Sequence, residues 1–207
     1  MTTSGLQRQP TQLDYASPTQ FKFGILKLPK VEYFCTAVNI PGVSLSSETF
    51  ATRFKPIPIP GAELTYEQLQ MTFIVDENLE NYQEIHGWLI GLGFPSDDSE
   101  YLNLLASGQD RFPTTGSNTT QDAGKAPKGP TQNLGPVYSD ATLNVLSSKN
   151  NPILECRFQD VYPISLSGLN YDQQATDIDY LTASVTFNYL IYKFADPGGS
   201  STKITAS

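Results

Sequence analysis

The stretch Leu64–Phe94, LTYEQLQMTFIVDENLENYQEIHGWLIGLGF, changes its hydrophobic period midway, and that change decides the fold class. Leu69, Met71, Phe73 and Val75 alternate with polar neighbours, which predicts a strand carrying those four side chains on one face. Leu79, Tyr82, Ile85, Leu89 and Leu92 then recur at helical spacing, with Trp88 on the same stripe, which predicts a helix over about 78–92. Asp76 or Asn78 is expected to cap the helix start, with Glu77 and Glu80 suiting the positive end of its dipole. Gly91, Gly93 and Pro95 are expected to end it. No other stretch shows so clear a helical period. The expected fold core is Phe73, Val75, Leu79, Tyr82, Ile85, Trp88 and Leu89, joined by Val185 and Phe187 from the last strand.

On either side the pattern is that of strands. Phe21, Phe23 and Ile25 alternate in a first strand running to about Leu28, and Pro29-Lys30 is read as a turn. Val31–Ile40 is read as a second strand with apolar residues on both faces. Pro41-Gly42 carries the signature of a type II turn. Val43–Phe54 is extended, with Phe50, Thr52 and Phe54 alternating. Lys55–Gly61 (KPIPIPG) has prolines that remove ladder donors, so it must lie at an edge or on the surface. Its isoleucines, with Phe50 and Phe54, give Ile57, Ile59, Phe50 and Phe54 as candidate subunit or partner contacts. Residues 97–105 can form a short turn of helix. Further strands are read at Val137–Val145 and Ile153–Val161, joined by a turn at 148–152, and the longest at Leu181–Tyr192.

The expected organisation is a single domain, 1–207. Residues 1–19 read as a flexible N-terminal arm, 20–106 and 137–194 as the β core, and 195–207 as a flexible tail. Residues 107–136 form a polar insertion of about thirty residues, a length that signals function or disorder. The fold class expected is mainly β (α+β), two packed antiparallel sheets flanked by one α-helix.

Composition narrows the function. Charged residues make up 16% of the chain, against about 25% in typical domains, which suits a loop-rich β protein. The net charge of −8 argues against wrapping nucleic acid, which needs a basic footprint. No apolar run approaches the roughly 18 residues of a membrane span, and the N-terminus lacks a signal-peptide core, so folding in a cytoplasm is expected. Cys35 and Cys156 are read as reduced and buried, and the sequon at Asn118 as without meaning in an unsecreted chain. His86 is the one histidine and is read as a partly buried helix residue, not a catalytic base. Asp172, Asp177 and Asp179 lack calcium-loop spacing. No catalytic, metal or dinucleotide motif is present, so neither an enzyme activity nor a cofactor is expected.

The order of four segments is informative. They are VNIPGVSL (Val38–Leu45), the proline-rich crossing Phe54–Gly61, the strand-to-helix stretch with FIVDE at Phe73–Glu77 and its Trp88, and the closing YPISLSGLNYDQQATDIDYLTASVTFNYLIY (Tyr162–Tyr192). Together they resemble the tail tube terminators (tail completion and sheath stabiliser proteins) of contractile-tailed bacteriophages, within the phage tail tube superfamily. The resemblance spans roughly residues 20–104 and 137–193. The insertion 107–136 departs from that compact pattern.

The resemblance implies a non-enzymatic virion subunit forming a six-fold ring whose sheets join around a channel. Such a ring would end the tail tube and join tail to neck, at the head-proximal end of a virion assembled in a host cytoplasm. The implied partners are copies of itself, the tail tube protein, a neck or connector protein and the sheath. DNA passes without specific binding, and no membrane is involved. The alternatives are a baseplate tube initiator, the main tail tube protein, or a β-sandwich carbohydrate-binding module.

Overall fold

A computed structural model describes residues 15–106, 137–171 and 180–197. The expected arm 1–19, apart from its last residues, and the insertion 107–136 lie outside the described residues, as do Asp172, Asp177, Asp179 and most of the C-terminal tail. Nine strands and three helices follow one another among the described residues. They are β1 (Phe21–Ile25), α1 (Pro29–Phe34), β2 (Cys35–Val38), β3 (Val43–Phe50), β4 (Ile57–Tyr66), β5 (Leu69–Ile74), α2 (Glu80–Gly93), α3 (Asp98–Ala106), β6 (Ser139–Leu146), β7 (Pro152–Leu166), β8 (Thr182–Asn188) and β9 (Ile191–Ala195). All pairings are antiparallel.

Seven strands form one sheet in the order β1-β6-β7-β8-β5-β2, with β9 also on β7. Strand β7 divides it into two halves. Its first part pairs with β6 and β9, and its last part, from Tyr162, pairs with β8. Asp160 marks the change, with φ 56° and its N–H donating to Asp140 Oδ1 at 3.2 Å. A bulge at this point re-aims the strand and lets both halves close on one core. That core draws Phe23 and Ile25 from β1, Phe158 and Val161 from β7, Met71 and Phe73 from β5, Val185 and Phe187 from β8, and Ile85 and Trp88 from α2. Two antiparallel layers around one core is the expected mainly β architecture.

Several local expectations are corrected. Val31–Ile40 is not one strand: its first part is α1, and Val31 is buried. Pro29 near the first helical position has the φ a helix needs and no N–H to lose. Lys30 then reaches across to Glu80 and Glu84 on α2, at 2.6 and 3.4 Å. The remaining strand, β2, is an edge strand with Thr36 and Ala37 exposed, not a strand covered on both faces. The flanking helix has company, because α3 packs on α2: a Cβ on Gly91 would lie 3.1 Å from Leu104 Cβ. Gly91 is therefore a packing glycine inside α2, and Phe94 takes the left-handed C-cap.

Neither Asp76 nor Asn78 caps α2 by its side chain. Leu79 occupies the N-cap in the left-handed region, φ 59°. Fully buried Asn81 secures the junction instead, its amide donating to Ile74 O at 2.9 Å while its Oδ1 accepts from Asp76 N–H at 3.3 Å. Asn81→Ala strands those two backbone groups. It is expected to cost about 1–3 kcal/mol, read as a lower urea midpoint at unchanged m-value.

The expected longest strand, Leu181–Tyr192, is two strands broken at Tyr189-Leu190, and β7 is longer than either. The break sits opposite the β7 bulge, where Leu190 N–H donates to Gln159 O. Asn150, at φ 59°, makes the tight turn between β6 and β7.

Candidate assembly interface

Beyond Val38 the chain does not reverse. Ala37 pairs with Thr72 and Val38 with Met71, and the same register continues through Val43 with Tyr66 and Leu45 with Leu64. Between them Asn39 N–H donates to Gln70 O, and Glu67 N–H to Gly42 O. Strands β2–β3 and β4–β5 are thus one two-stranded ribbon, and the type II turn read at Pro41-Gly42 is absent. Pro41 fits there because it needs no N–H in a ladder whose donors come from Asn39 and Glu67. The Asn39 side chain bridges the gap, donating to Gln68 O and accepting from Gln70 N–H at 2.7 Å.

The outer part of the ribbon leaves the body. Every residue of β3 is exposed, and β4 is nearly so. The eight residues of β3 span about 26 Å at roughly 3.3 Å each. The prolines do not break the ladder: Pro58 and Pro60 face Thr49 and Ser47 and turn their missing donors outward, leaving Ile57 and Ile59 to bond inward. All four candidate contact residues lie on this arm. Phe50, Ile57 and Ile59 are 62%, 52% and 41% exposed, and Phe54 at the tip is 95% exposed. Phe50 stands opposite Ile57. Val43, Leu45 and Leu64, which sequence reasoning passed over, add a second exposed apolar group nearer the body. Isolated exposed apolar side chains mean little, but here they form a set on one projecting ribbon.

The root of the arm is held by tyrosines. Tyr189 OH donates to Glu67 O at 2.7 Å and Tyr192 OH to Pro41 O at 3.1 Å, one on each strand. Tyr66 meets both rings edge to face, at 6.2 and 5.7 Å, the geometry aromatic quadrupoles favour. The arm's bulge is equally tight. A Cβ on Gly61 would land on Ser46 Oγ and lie 2.8 Å from Ser46 O. Gly61→Ala should therefore displace the arm while leaving the body intact, measured as weakened self-association at an unchanged melting temperature.

Burial pushes the Cys35 thiol up to about 11 and Cys156 to about 12 from 9.0, and raises both Tyr189 and Tyr192 above 10.0. Neither cysteine is a nucleophile at neutral pH, and both are free. Each group holds its proton more tightly when folded than when unfolded, so its contribution is complete below about pH 9 and lost above that. Thermal stability is expected to fall steadily between pH 9 and 12, measured as a melting temperature that drops as the buried thiols and the Tyr189 and Tyr192 phenols are forced to ionise.

A second surface with an unusual composition is the β8 half of the sheet. Cys35–Val38, Leu69–Ile74, Val161–Leu166 and Thr182–Asn188 contain no Asp, Glu, Lys, Arg or His in a chain with 34 formal charges, 13 basic and 21 acidic. Away from the core this half presents Gln70, Thr72, Thr182, Ser184 and Thr186 together with Ile74, and Ile164 and Ser165 at the β7 edge, with Thr72 and Ser184 hydroxyls 3.2 Å apart. The other half carries Lys22, Glu155, Arg157 and Lys193 on its strands. Among the described residues, both edges of the uncharged half are open, β2 on one side and β7 beyond Tyr162 on the other.

No group of three or more metal-ligating side chains exists among the described residues. His86 is exposed on α2, where a partly buried position was expected. Among the described residues no helix is long and apolar enough to cross a membrane.

The same fold occurs in known structures. A chain of the anti-feeding prophage baseplate, 6-fold symmetrised, is similar over 89% of this chain and 98% of its own, at 9% identity and TM-score 0.54. The anti-feeding prophage cap, a tube terminating cap, is similar over 94% of this chain and 100% of its own, at 10% identity and TM-score 0.50. No curated protein matches the sequence. The model of the phage tail tube protein family matches residues 7–195, nearly the whole length, and the chain belongs to that family.

Proposed function

We propose that this protein is a ring subunit that closes the head-proximal end of a contractile phage tail tube and joins it to the neck. The observation that carries the ring is the uncharged half-sheet with two open edges. An open edge exposes unpaired N–H and C=O groups, and closing copies edge to edge satisfies them without a partner of another kind. Six copies, each contributing the β2 edge to the β7 edge of the next, give a closed barrel whose inner face is the hydroxyl and amide surface around Thr72 and Ser184. Such a face offers a polyanion neither cations to hold it nor a bank of carboxylates to repel it, so DNA slides through. The projecting ribbon reaches beyond the subunit to the next copy, the tube protein or the sheath.

The position in the tail rests on the order of the VNIPGVSL, FIVDE and closing aromatic segments. The purified protein, alone and mixed with tube protein, should appear in electron microscopy as rings that cap tube ends, and antibody labelling should mark the head-proximal end of tails. Filaments of this protein alone would make it the main tube subunit, and label at the distal end a baseplate initiator. Glycan binding by a monomer would return the carbohydrate-binding reading.

A further inference from the structure

The ribbon is built differently at its root than on either side of it. In the arm β3 pairs with β4, and in the body β2 pairs with β5, strand against strand. Between them, at 39–42 and 67–70, side chains take over part of the ladder. Gln70 N–H donates to Asn39 Oδ1 at 2.7 Å and Gly42 N–H to Glu67 Oε2 at 3.2 Å, where a regular ladder uses backbone carbonyls. Such bonds break and re-form by side-chain rotation while the pairing on both sides stays intact. A short stretch of this kind between two firmly paired segments is where a two-stranded ribbon bends.

Direction matters for an arm of this length. At about 26 Å, a bend of about 10° at the root carries the tip about 4.5 Å, which is the whole reach of an apolar contact. Past the root β3 and β4 pack chiefly on each other, so the arm supplies no second point of support. The body supplies two. The Tyr189 and Tyr192 rings lie 5.3 and 5.6 Å from the ring of Phe158, which is fully buried. Fixed to the core in this way, their hydroxyls end on opposite strands of the ribbon, at Glu67 O and Pro41 O. One bond on each strand resists a sideways swing that a single bond would allow.

We propose that the hydroxyls of Tyr189 and Tyr192 are positioning groups that lock the direction of the β3–β4 arm, which without them swings at 39–42 and 67–70 as one rigid piece. The rings serve the core and the hydroxyls serve the direction. Phenylalanine at either position keeps the stacking on Phe158 and Tyr66 and removes only the bond. The lock itself needs no neighbour. Its value for assembly rests on the ring reading above, because an arm already held in one direction has less freedom to lose when copies join.

The test measures the direction. Full-length protein with Glu48→Cys on β3 and Lys149→Cys at the β6–β7 turn, in a Cys35→Ser background, is spin-labelled and diluted into unlabelled protein, so that the distance within one copy is read. Cys156 is buried and takes no label. With both tyrosines present, one narrow distance population is expected. Tyr189→Phe combined with Tyr192→Phe should broaden it, with amide protection along β3–β4 unchanged. An unchanged width overturns the lock. Lost protection along β3–β4 also overturns it, since the phenols would then hold the strands together and not their direction. If the double variant does not fold, Tyr189→Phe and Tyr192→Phe singly carry the same readout, each leaving one bond. Self-association of the double variant is expected to weaken roughly tenfold. A broadened distance with unchanged association keeps the lock and overturns the arm's part in the ring reading.

Discussion

Trp88→Ala is expected to destabilise the fold by roughly 3–5 kcal/mol, the cost of emptying a buried aromatic site. Trp88 is 2% exposed, and three contacts meet on it. Its ring lies 6.3 Å from Phe187 of β8, Lys27 covers it, and its indole N–H donates to Val137 O at 3.1 Å in a buried position. The last bond ties α2 to the chain just before β6. For a chain of this size the loss corresponds to a fall of roughly 6–20 °C in melting temperature. Trp88→Phe separates the two causes. It keeps most of the apolar contact and loses the N–H, and should cost about 1–3 kcal/mol, that of leaving one buried carbonyl unpaired. Equal melting temperatures for wild type and Trp88→Ala would refute the placement.

Replacing Leu45–Leu64 by Asn-Gly is expected to abolish ring formation while the body still folds. The cut falls just past the Ser44–Thr65 pair, and a two-residue Asn-Gly loop turns a ribbon tightly there. Pro41, Tyr66 and Glu67 remain, so the bonds from Tyr189 and Tyr192 and the ring contacts of Tyr66 are kept. What is lost is nearly all exposed surface, including Phe50, Phe54, Ile57 and Ile59. Sedimentation should show a monomer of native circular dichroism. Rings that form regardless would show that the open sheet edges suffice and that the arm serves a partner outside the ring.

The core was legible in the sequence because burial in one chain leaves a period. Leu69, Met71 and Phe73 face inward every second residue, and Ile85 and Trp88 face inward at helical spacing. The segment Val31–Phe34 hid its helix, since Val, Tyr and Phe favour strands and the core that buries Val31 is assembled by residues distant in sequence. The arm hid itself in another way. Its apolar residues alternate as a core strand's would, and an exposed apolar face leaves the same period as one covered by its own chain. Pro41-Gly42 signals a reversal locally, and only the pairing across to Glu67 and Gln70 shows the ribbon running straight through.

A subunit waiting for assembly must keep its contact surfaces exposed without joining the wrong neighbour. An exposed two-stranded ribbon rich in isoleucine and phenylalanine is a ready template for aggregation. On this one, Pro58 and Pro60 leave the outer rim of β4 with no N–H where an incoming strand would look for it. Strand addition at those two positions of the β4 rim is thereby blocked, which guards the exposed apolar ribbon against aggregation.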